Sequence, residues 1–205
     1  MPIYMKDGKS VLFIHIPKAA GTSIDHAFLR QGWHVGFQDG GGKPDSVLRH
    51  LRCSPQHFHA ALLREMMVLS SFDAIFTVLR DPMDRLQSEY RWRRQHSPHP
   101  LPAFETWVNQ VFDRYQVDSF VLDNHIRPQE QFVLPQAQVT ALERGVAHTL
   151  NKLSETLGVP LPVGHDPIVN ASPRDDGLEI SAATRARIQT FYAKDFALHK
   201  WLMQA

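Results

Sequence analysis

Cysteine is nearly absent from this sequence. The 205 residues include one, Cys53, so an internal disulfide is impossible and a cysteine-based metal site is not expected. A lone thiol suits a reducing compartment. Long apolar runs are missing too: no stretch approaches the ~20 residues that a membrane helix needs. The opening Met1-Pro-Ile-Tyr-Met-Lys-Asp-Gly-Lys-Ser10 is too polar for a signal peptide. We therefore expect a cytoplasmic chain with no membrane insertion. Charge of one sign is also lacking. A formal net charge of +1 does not suggest bulk nucleic-acid binding, so no nucleic-acid partner is expected and any anion site must come from local clustering. Repeats and low-complexity tracts are absent. The remaining composition, 43% hydrophobic and 21% charged, is that of a globular protein long enough for one domain with a real core, taken as residues 1–205.

One stretch organises the rest. Val11-Leu-Phe-Ile-His-Ile16 is apolar and β-branched enough for a buried strand, which Pro17 ends because it cannot donate to a central ladder. Gly21-Thr22-Ser23 leads into helical spacing, with Ile24, Ala27 and Phe28 on one face. A strand, a short loop holding Lys18, then a helix start make an anion cradle. Backbone N–H groups point inward, the helix dipole favours negative charge, and Thr22 and Ser23 add hydroxyls. It is not a Walker phosphate loop. That pattern needs Gly-Lys-Ser/Thr, whereas Lys18 precedes Gly21 by three positions and no glycine opens the loop.

A second stretch has matching chemistry. Phe72 to Leu79 reads as a buried strand ended by Arg80-Asp81-Pro82, with Asp81 a natural N-cap and Pro82 a natural first helical residue. Arg80 thus stands at the carboxyl end of a strand, where open α/β sheets bind ligands. Ser88 follows eight residues later on the next helix. A guanidinium at the strand end and a hydroxyl on the adjoining helix can clamp one phosphate from two sides.

Pro17-Lys-Ala-Ala-Gly-Thr-Ser23 resembles the 5′-phosphosulfate loop of sulfotransferases that use 3′-phosphoadenosine 5′-phosphosulfate (PAPS). Arg80-Asp-Pro-Met-Asp-Arg-Leu-Gln-Ser88 is similar to their 3′-phosphate motif. The form Phe13-Ile-His-Ile-Pro-Lys-Ala-Ala-Gly-Thr-Ser23 looks most like the carbohydrate sulfotransferase branch, here in a soluble, bacterial-like version. The resemblance is firm over about residues 11–93. It implies a P-loop-NTPase-like three-layer α/β fold with a central parallel sheet, and PAPS as co-substrate with 3′-phosphoadenosine 5′-phosphate (PAP) as product, without a metal. It also implies that Lys18, Ala19, Ala20, Gly21, Thr22 and Ser23 hold the 5′-phosphosulfate, with Lys18 stabilising the leaving oxygen, and that Arg80 and Ser88 hold the 3′-phosphate. Asn170-Ala-Ser-Pro-Arg174 resembles the late loop that closes over the nucleotide, which makes Asn170, Ser172 and Arg174 cofactor-binding candidates. Asp123-Asn-His-Ile-Arg-Pro-Gln129 looks like the acceptor-side segment, with His125 and Arg127 as substrate-binding candidates. Tyr192 and Asp195 fit the family's terminal helix.

Sulfuryl transfer to a hydroxyl needs a base. Of the 12 histidines, His57 and His59 lie about twenty residues upstream of Arg80, where relatives carry one. At i and i+2 on a helix their rings diverge, so one of them, or a carboxylate elsewhere, serves. His15, inside the first strand, reads as a core or supporting group. The expected acceptor is a carbohydrate or another small hydroxylated molecule. An ATP-dependent P-loop-like kinase and an inactive nucleotide-binding module are the alternatives.

The rest of the chain reads as a loop over 32–45 rich in glycine, able to order over substrate, and helices over 55–69, 82–94, 104–115, 139–157 and 181–202. A proline-rich break covers 96–102, and irregular segments cover 123–135 and 160–176. Arg91, Arg93 and Arg94 beside Trp92 form a solvated face or a rim for an acidic substrate. Strands and helices alternate early and helix dominates later, so the fold class is α/β with a mostly helical C-terminal half.

Overall fold

Alternation along the second strand decides how the layers stack. In the computed structural model, which describes residues 2–38, 50–161 and 178–204, strand β2 covers Lys9–Ile14. Successive side chains leave a strand on opposite faces. Val11 and Phe13 accordingly join one core cluster, while Leu12 and Ile14 join another. The first cluster packs the sheet against helices α1 (Gly21–Arg30) and α5 (Val146–Leu157), through Ile24, Phe28, Leu150 and Leu153. The second packs the opposite face against α2 (Ala60–Met66) and α7 (Ala193–Gln204), through Leu63 and Leu202. Helices on both faces of the sheet give the three layers expected.

The sheet itself is mixed, which corrects the expectation of a parallel one. Among the described residues, five strands lie in the order β3-β1-β2-β4-β5, with β1 at Ile3–Lys6, β3 at His34–Gly36, β4 at Ala74–Leu79 and β5 at Gln138–Ala141. β2, β4 and β5 pair in parallel, but β1 runs antiparallel to both β2 and β3. The cause is a two-residue hairpin. Asp7 and Gly8 have φ of 49° and 77°, the pair of positive values that an Asp-Gly turn supplies, and they fold the polar N-terminal stretch back on β2.

Other boundaries moved for local reasons. The helix expected from Val139 starts at Val146, because residues 138–141 extend β-branched Val139 and Thr140 along β4 and Gly145 turns the chain at φ 90°. The helix expected over 55–69 is a short 3₁₀ turn at Pro55–His57 followed by α2. The terminal helix breaks at Tyr192, where α6 (Ala182–Phe191) gives way to α7. Part of the expected loop over 32–45 is strand β3, and the remainder from 39 lies outside the described residues.

Two further helices, α3 (Pro82–His96) and α4 (Phe104–Val117), pack with α6 in a third cluster built on Leu86, Tyr90, Trp107, Phe112 and Tyr192. Asp81 caps α3 by accepting from the N–H groups of Met83 and Asp84 at 2.9 and 3.0 Å, and Pro82 is its first residue. This cap fixes how α3 leaves the end of β4.

Candidate active site

The loop from β2 to α1 has the shape of an anion nest. Lys18 and Ala20 both adopt the left-handed region, at φ 67° and 64°, the kind of backbone from which anion-binding concavities are built. Ala19 between them is buried, and its N–H bonds to the Ile16 carbonyl at 3.2 Å. Ala20 caps α1 without a side-chain bond, and the first turn holds no acidic residue. Helix geometry leaves the leading N–H groups without intrahelical acceptors, at the positive end of the dipole. The Ser23 Oγ is buried with no hydrogen-bond partner among the described residues.

Gly21 is required by a close approach. A Cβ at this position would lie 2.1 Å from Nε2 of His15, so the imidazole occupies the space any other residue would need. His15 therefore serves as packing beneath the loop. Desolvation holds its pKa well below the ordinary imidazole value, with His57 acting in the same direction.

Arg80 reaches this loop from the neighbouring strand. Its Nη1 donates to the Lys18 carbonyl at 3.2 Å. Its own backbone is held at both ends by Gln129, which accepts from the Arg80 N–H at 3.0 Å and donates to the Arg80 carbonyl at 2.7 Å. Gln129 is in turn held by buried Asp195, which accepts from the N–H groups of Gln129 and Glu130 at 2.7 and 2.9 Å. Ser88 is buried on α3.

Two imidazole–carboxylate pairs meet beside the loop. His57 Nδ1 lies 2.8 Å from Asp123 Oδ2, and Ser54 donates to the same carboxylate from Oγ at 2.7 Å and from its backbone N–H at 2.6 Å. His125 Nδ1 lies 2.7 Å from Glu89 Oε2, and Arg93 Nε donates to the other oxygen of Glu89. The His57 and His125 rings meet edge to face with centroids 4.7 Å apart, and His15 lies 5.3 Å from His57. Trp92, partly exposed, lies 6.3 Å from His125 and carries the Lys18 ammonium 5.2 Å from its ring. Contacts thus run from Gly21 through three histidines and Trp92 back to Lys18.

Electrostatics differ sharply across this ring. Desolvation lowers His57 to about 4 against the opposing pull of Asp123, so it is a neutral imidazole at neutral pH. Burial alone would raise the carboxyls of Asp123 and Glu89. Asp123 is instead held at about 2 by His57 and Ser54, and Glu89 at about 2 by His125, Arg93 and Lys18. Desolvation lowers Lys18, Glu89 opposes this, and Arg80 and Arg93 add to it. The site thus combines a neutral imidazole, two ionised carboxylates and a cluster of cations. The Nδ1 atoms of His57 and His125 are both engaged by carboxylates, so the cluster is accounted for as two hydrogen-bonded pairs.

The remaining candidates fall elsewhere. His59 is the extended residue before α2, not a helix partner of His57; it packs edge to face on Phe120 at 5.6 Å. Its Nδ1 is buried without a hydrogen-bond partner among the described residues, and desolvation lowers it to about 4. Arg127 is buried, and its guanidinium is committed to Asn124, Gln131 and Ser119, so it holds the 119–131 segment together rather than facing an anion. Asn170, Ser172 and Arg174 lie outside the described residues. Cys53 is buried, its thiol pushed up to about 12 by desolvation, and is therefore unreactive. Sequence reasoning missed Glu89, Arg85, Ser54 and the role of Asp123. The i, i+4 series Arg85, Glu89, Arg93 is a visible signal, but on a helix it reads first as a solvated charge ladder.

Fold and loop together define an α/β protein with a nest-shaped turn at the carboxyl edge of its parallel strands. The chain belongs to the sulfotransferase family, whose family model matches residues 1–160. No curated protein matches the chain. Among solved structures, a sulfotransferase from Alicyclobacillus acidocaldarius is similar at 18% identity and a TM-score of 0.38. That match covers 64% of this chain and 54% of the other.

Proposed function

We propose that this protein transfers a sulfuryl group from PAPS to a hydroxyl of a carbohydrate or another small acceptor, with His57 as the proton acceptor. The observation that carries this reading is the bond from Arg80 to the Lys18 carbonyl. It brings Arg80 and the Lys18 loop, 62 residues apart in sequence, together at one sheet edge, which supports reading both as contacts for one anionic donor. A donor that carries both a phosphosulfate and a 3′-phosphate would engage both stretches. The nest, the helix N-terminus and the unpartnered Ser23 hydroxyl suit the phosphosulfate. Arg80 and Ser88 suit the 3′-phosphate, and so select PAPS over ATP.

In the reaction the acceptor oxygen bonds to sulfur as the bond from sulfur to the bridging phosphate oxygen breaks. PAP leaves with that electron pair, and the hydroxyl proton passes to an imidazole. Lys18 offsets charge on the departing oxygen. Between the two histidine candidates, position favours His57: it lies against His15, which packs on the loop, whereas His59 packs on Phe120. Trp92 presents a partly exposed indole beside Lys18 on which the apolar face of a sugar ring can pack.

Calorimetry with PAP and with ADP, with and without magnesium, on wild type and Arg80→Ala tests the donor. Tight PAP binding that is lost in the variant supports PAPS. Equal or stronger ADP binding returns the kinase reading. PAP binding with no turnover on any acceptor leaves an inactive nucleotide-binding module.

A further inference from the structure

Leu122, Asp123 and Asn124 have φ of 54°, 59° and 64°, three successive left-handed residues with no glycine among them. Left-handed backbone costs about 1–2 kcal/mol per L-residue and ordinarily occurs singly. Asp and Asn tolerate it through their short polar side chains; Leu122 does not. Such strain persists only where surrounding contacts over-determine it. Here Asn124, fully buried, donates from Nδ2 to the His57 carbonyl at 2.9 Å and accepts from Arg127 Nε at 2.9 Å. The turn thereby grips the His57 main chain while presenting Asp123 to its ring and His125 to its face.

An ionised carboxylate only accepts, so the Nδ1 that faces Asp123 carries the ring proton and Nε2 keeps the lone pair. We infer that Asp123, set by the strained turn at 122–124, is the positioning residue that fixes His57 as the Nδ1–H tautomer and so leaves Nε2 as the proton acceptor. The inference rests on the sulfotransferase reading for its catalytic consequence, and on hydrogen bonds alone for the tautomer. In the step, the acceptor O–H proton moves to Nε2 as the oxygen bonds to sulfur. Asp123 stays ionised and offsets the charge of the imidazolium that forms. Ser54 completes the arrangement by fixing both carboxylate oxygens.

Asp123→Asn tests this, because Asn is well suited to the left-handed turn. Its Oδ1 can still accept from the Ser54 N–H, which puts Nδ2, a donor, against His57 Nδ1. The ring proton must then move to Nε2. Long-range ¹⁵N NMR of the imidazole should show Nδ1–H in wild type and Nε2–H in the variant. Turnover should fall about 10²–10⁴-fold, with KM for donor and acceptor changed by less than about threefold, because neither substrate contacts Asp123 in this reading. Asp123→Gly, which accepts φ 59° without strain, provides a second route: its activity should return in part with added formate. A folded Asp123→Asn protein with the wild-type tautomer, or one with wild-type turnover, overturns the inference. The tautomer is read without any substrate. If PAP fails to bind, the sulfotransferase reading falls while the NMR result still decides whether Asp123 sets the ring.

Discussion

Arg85 donates from Nε to the carbonyl of Pro17 at 3.1 Å, so the residue that opens the anion loop is held by α3. Its Nη2 donates to the carbonyls of His125 and Arg127 at 2.7 and 3.0 Å. Arg85, only 2% exposed, thus joins the loop after β2 to the histidine segment, with its charge spread over three backbone oxygens. Arg85→Met keeps much of the volume and removes every donor. Leaving buried carbonyls unsatisfied costs about 1–3 kcal/mol each. We expect a total loss of at least about 3 kcal/mol by urea denaturation, and weaker PAP binding at temperatures where the variant is folded. Arg85→Lys should recover little, since an ammonium cannot present the planar fork. Wild-type stability in Arg85→Met would show that these three bonds do not matter.

Gly21→Ala should separate loop geometry from loop charge. The new methyl meets the His15 ring at 2.1 Å, and the ring sits among Phe13, His57 and the loop, so one of them must move. Overpacking of this kind costs about 1–3 kcal/mol. PAP affinity should fall by at least tenfold, because the nest and the first turn of α1 shift together. The double variant His15→Ala, Gly21→Ala should recover much of that affinity. Failure of the double variant to recover any would mean that the glycine matters for another reason.

The two strand–turn–helix corners were legible because each rests on local rules: proline ends a strand, a small-residue turn opens a helix, and Asp-Pro caps the next one. The continuous apolar run from Val11 likewise announced a buried strand. The β1 hairpin was legible in Asp7-Gly8, but its strands are short and one is edged with lysine. β5 has four residues and merges into a helical pattern, so periodicity could not separate it. The site network was the least legible part. Asp123 meets His57 across 66 residues and Glu89 meets His125 across 36, distances that no local rule spans. Helix α3 turns a polar face inward, with Arg85, Ser88, Glu89 and Arg91 buried, which reverses the usual reading of an amphipathic helix.

Glu89→Gln should move the alkaline behaviour of the site. The Glu89 carboxylate is the group that holds Lys18 protonated against desolvation and the repulsion of Arg80 and Arg93. Without it all remaining influences lower the Lys18 pKa, so the ammonium is lost at a lower pH. PAP affinity should therefore begin to decline at a lower pH in the variant than in wild type as the solution is made alkaline, as read by calorimetry at each pH. The thermal midpoint at pH 7 serves as the control, because Arg93 and His125 lose their partner. Parallel pH dependence in the two proteins would remove Glu89 from control of Lys18.

Acid stability should report the neutral histidines separately from the carboxylates. His57 has a folded pKa of about 4 against an ordinary 6.5, so the folded state disfavours its protonated form. For a lowered pKa, the stabilising contribution is complete above the unfolded value and is lost as pH falls towards the folded one. The His57 window therefore runs from about 6.5 down to about 4, with a contribution on the order of 3 kcal/mol. His15 and His59 are shifted in the same direction and add to the slope there. Asp123 and Glu89, held at about 2, contribute only below about 4, where unfolded carboxylates begin to bind protons. His57→Asn keeps a donor towards Asp123 and does not titrate in this range. Urea denaturation from pH 4 to 7 should show a shallower loss of stability in the variant than in wild type, with the two curves converging in slope above pH 7. Equal slopes between pH 4 and 6.5 would mean that His57 is already solvated in the native state, and would place its proton chemistry near that of a free imidazole.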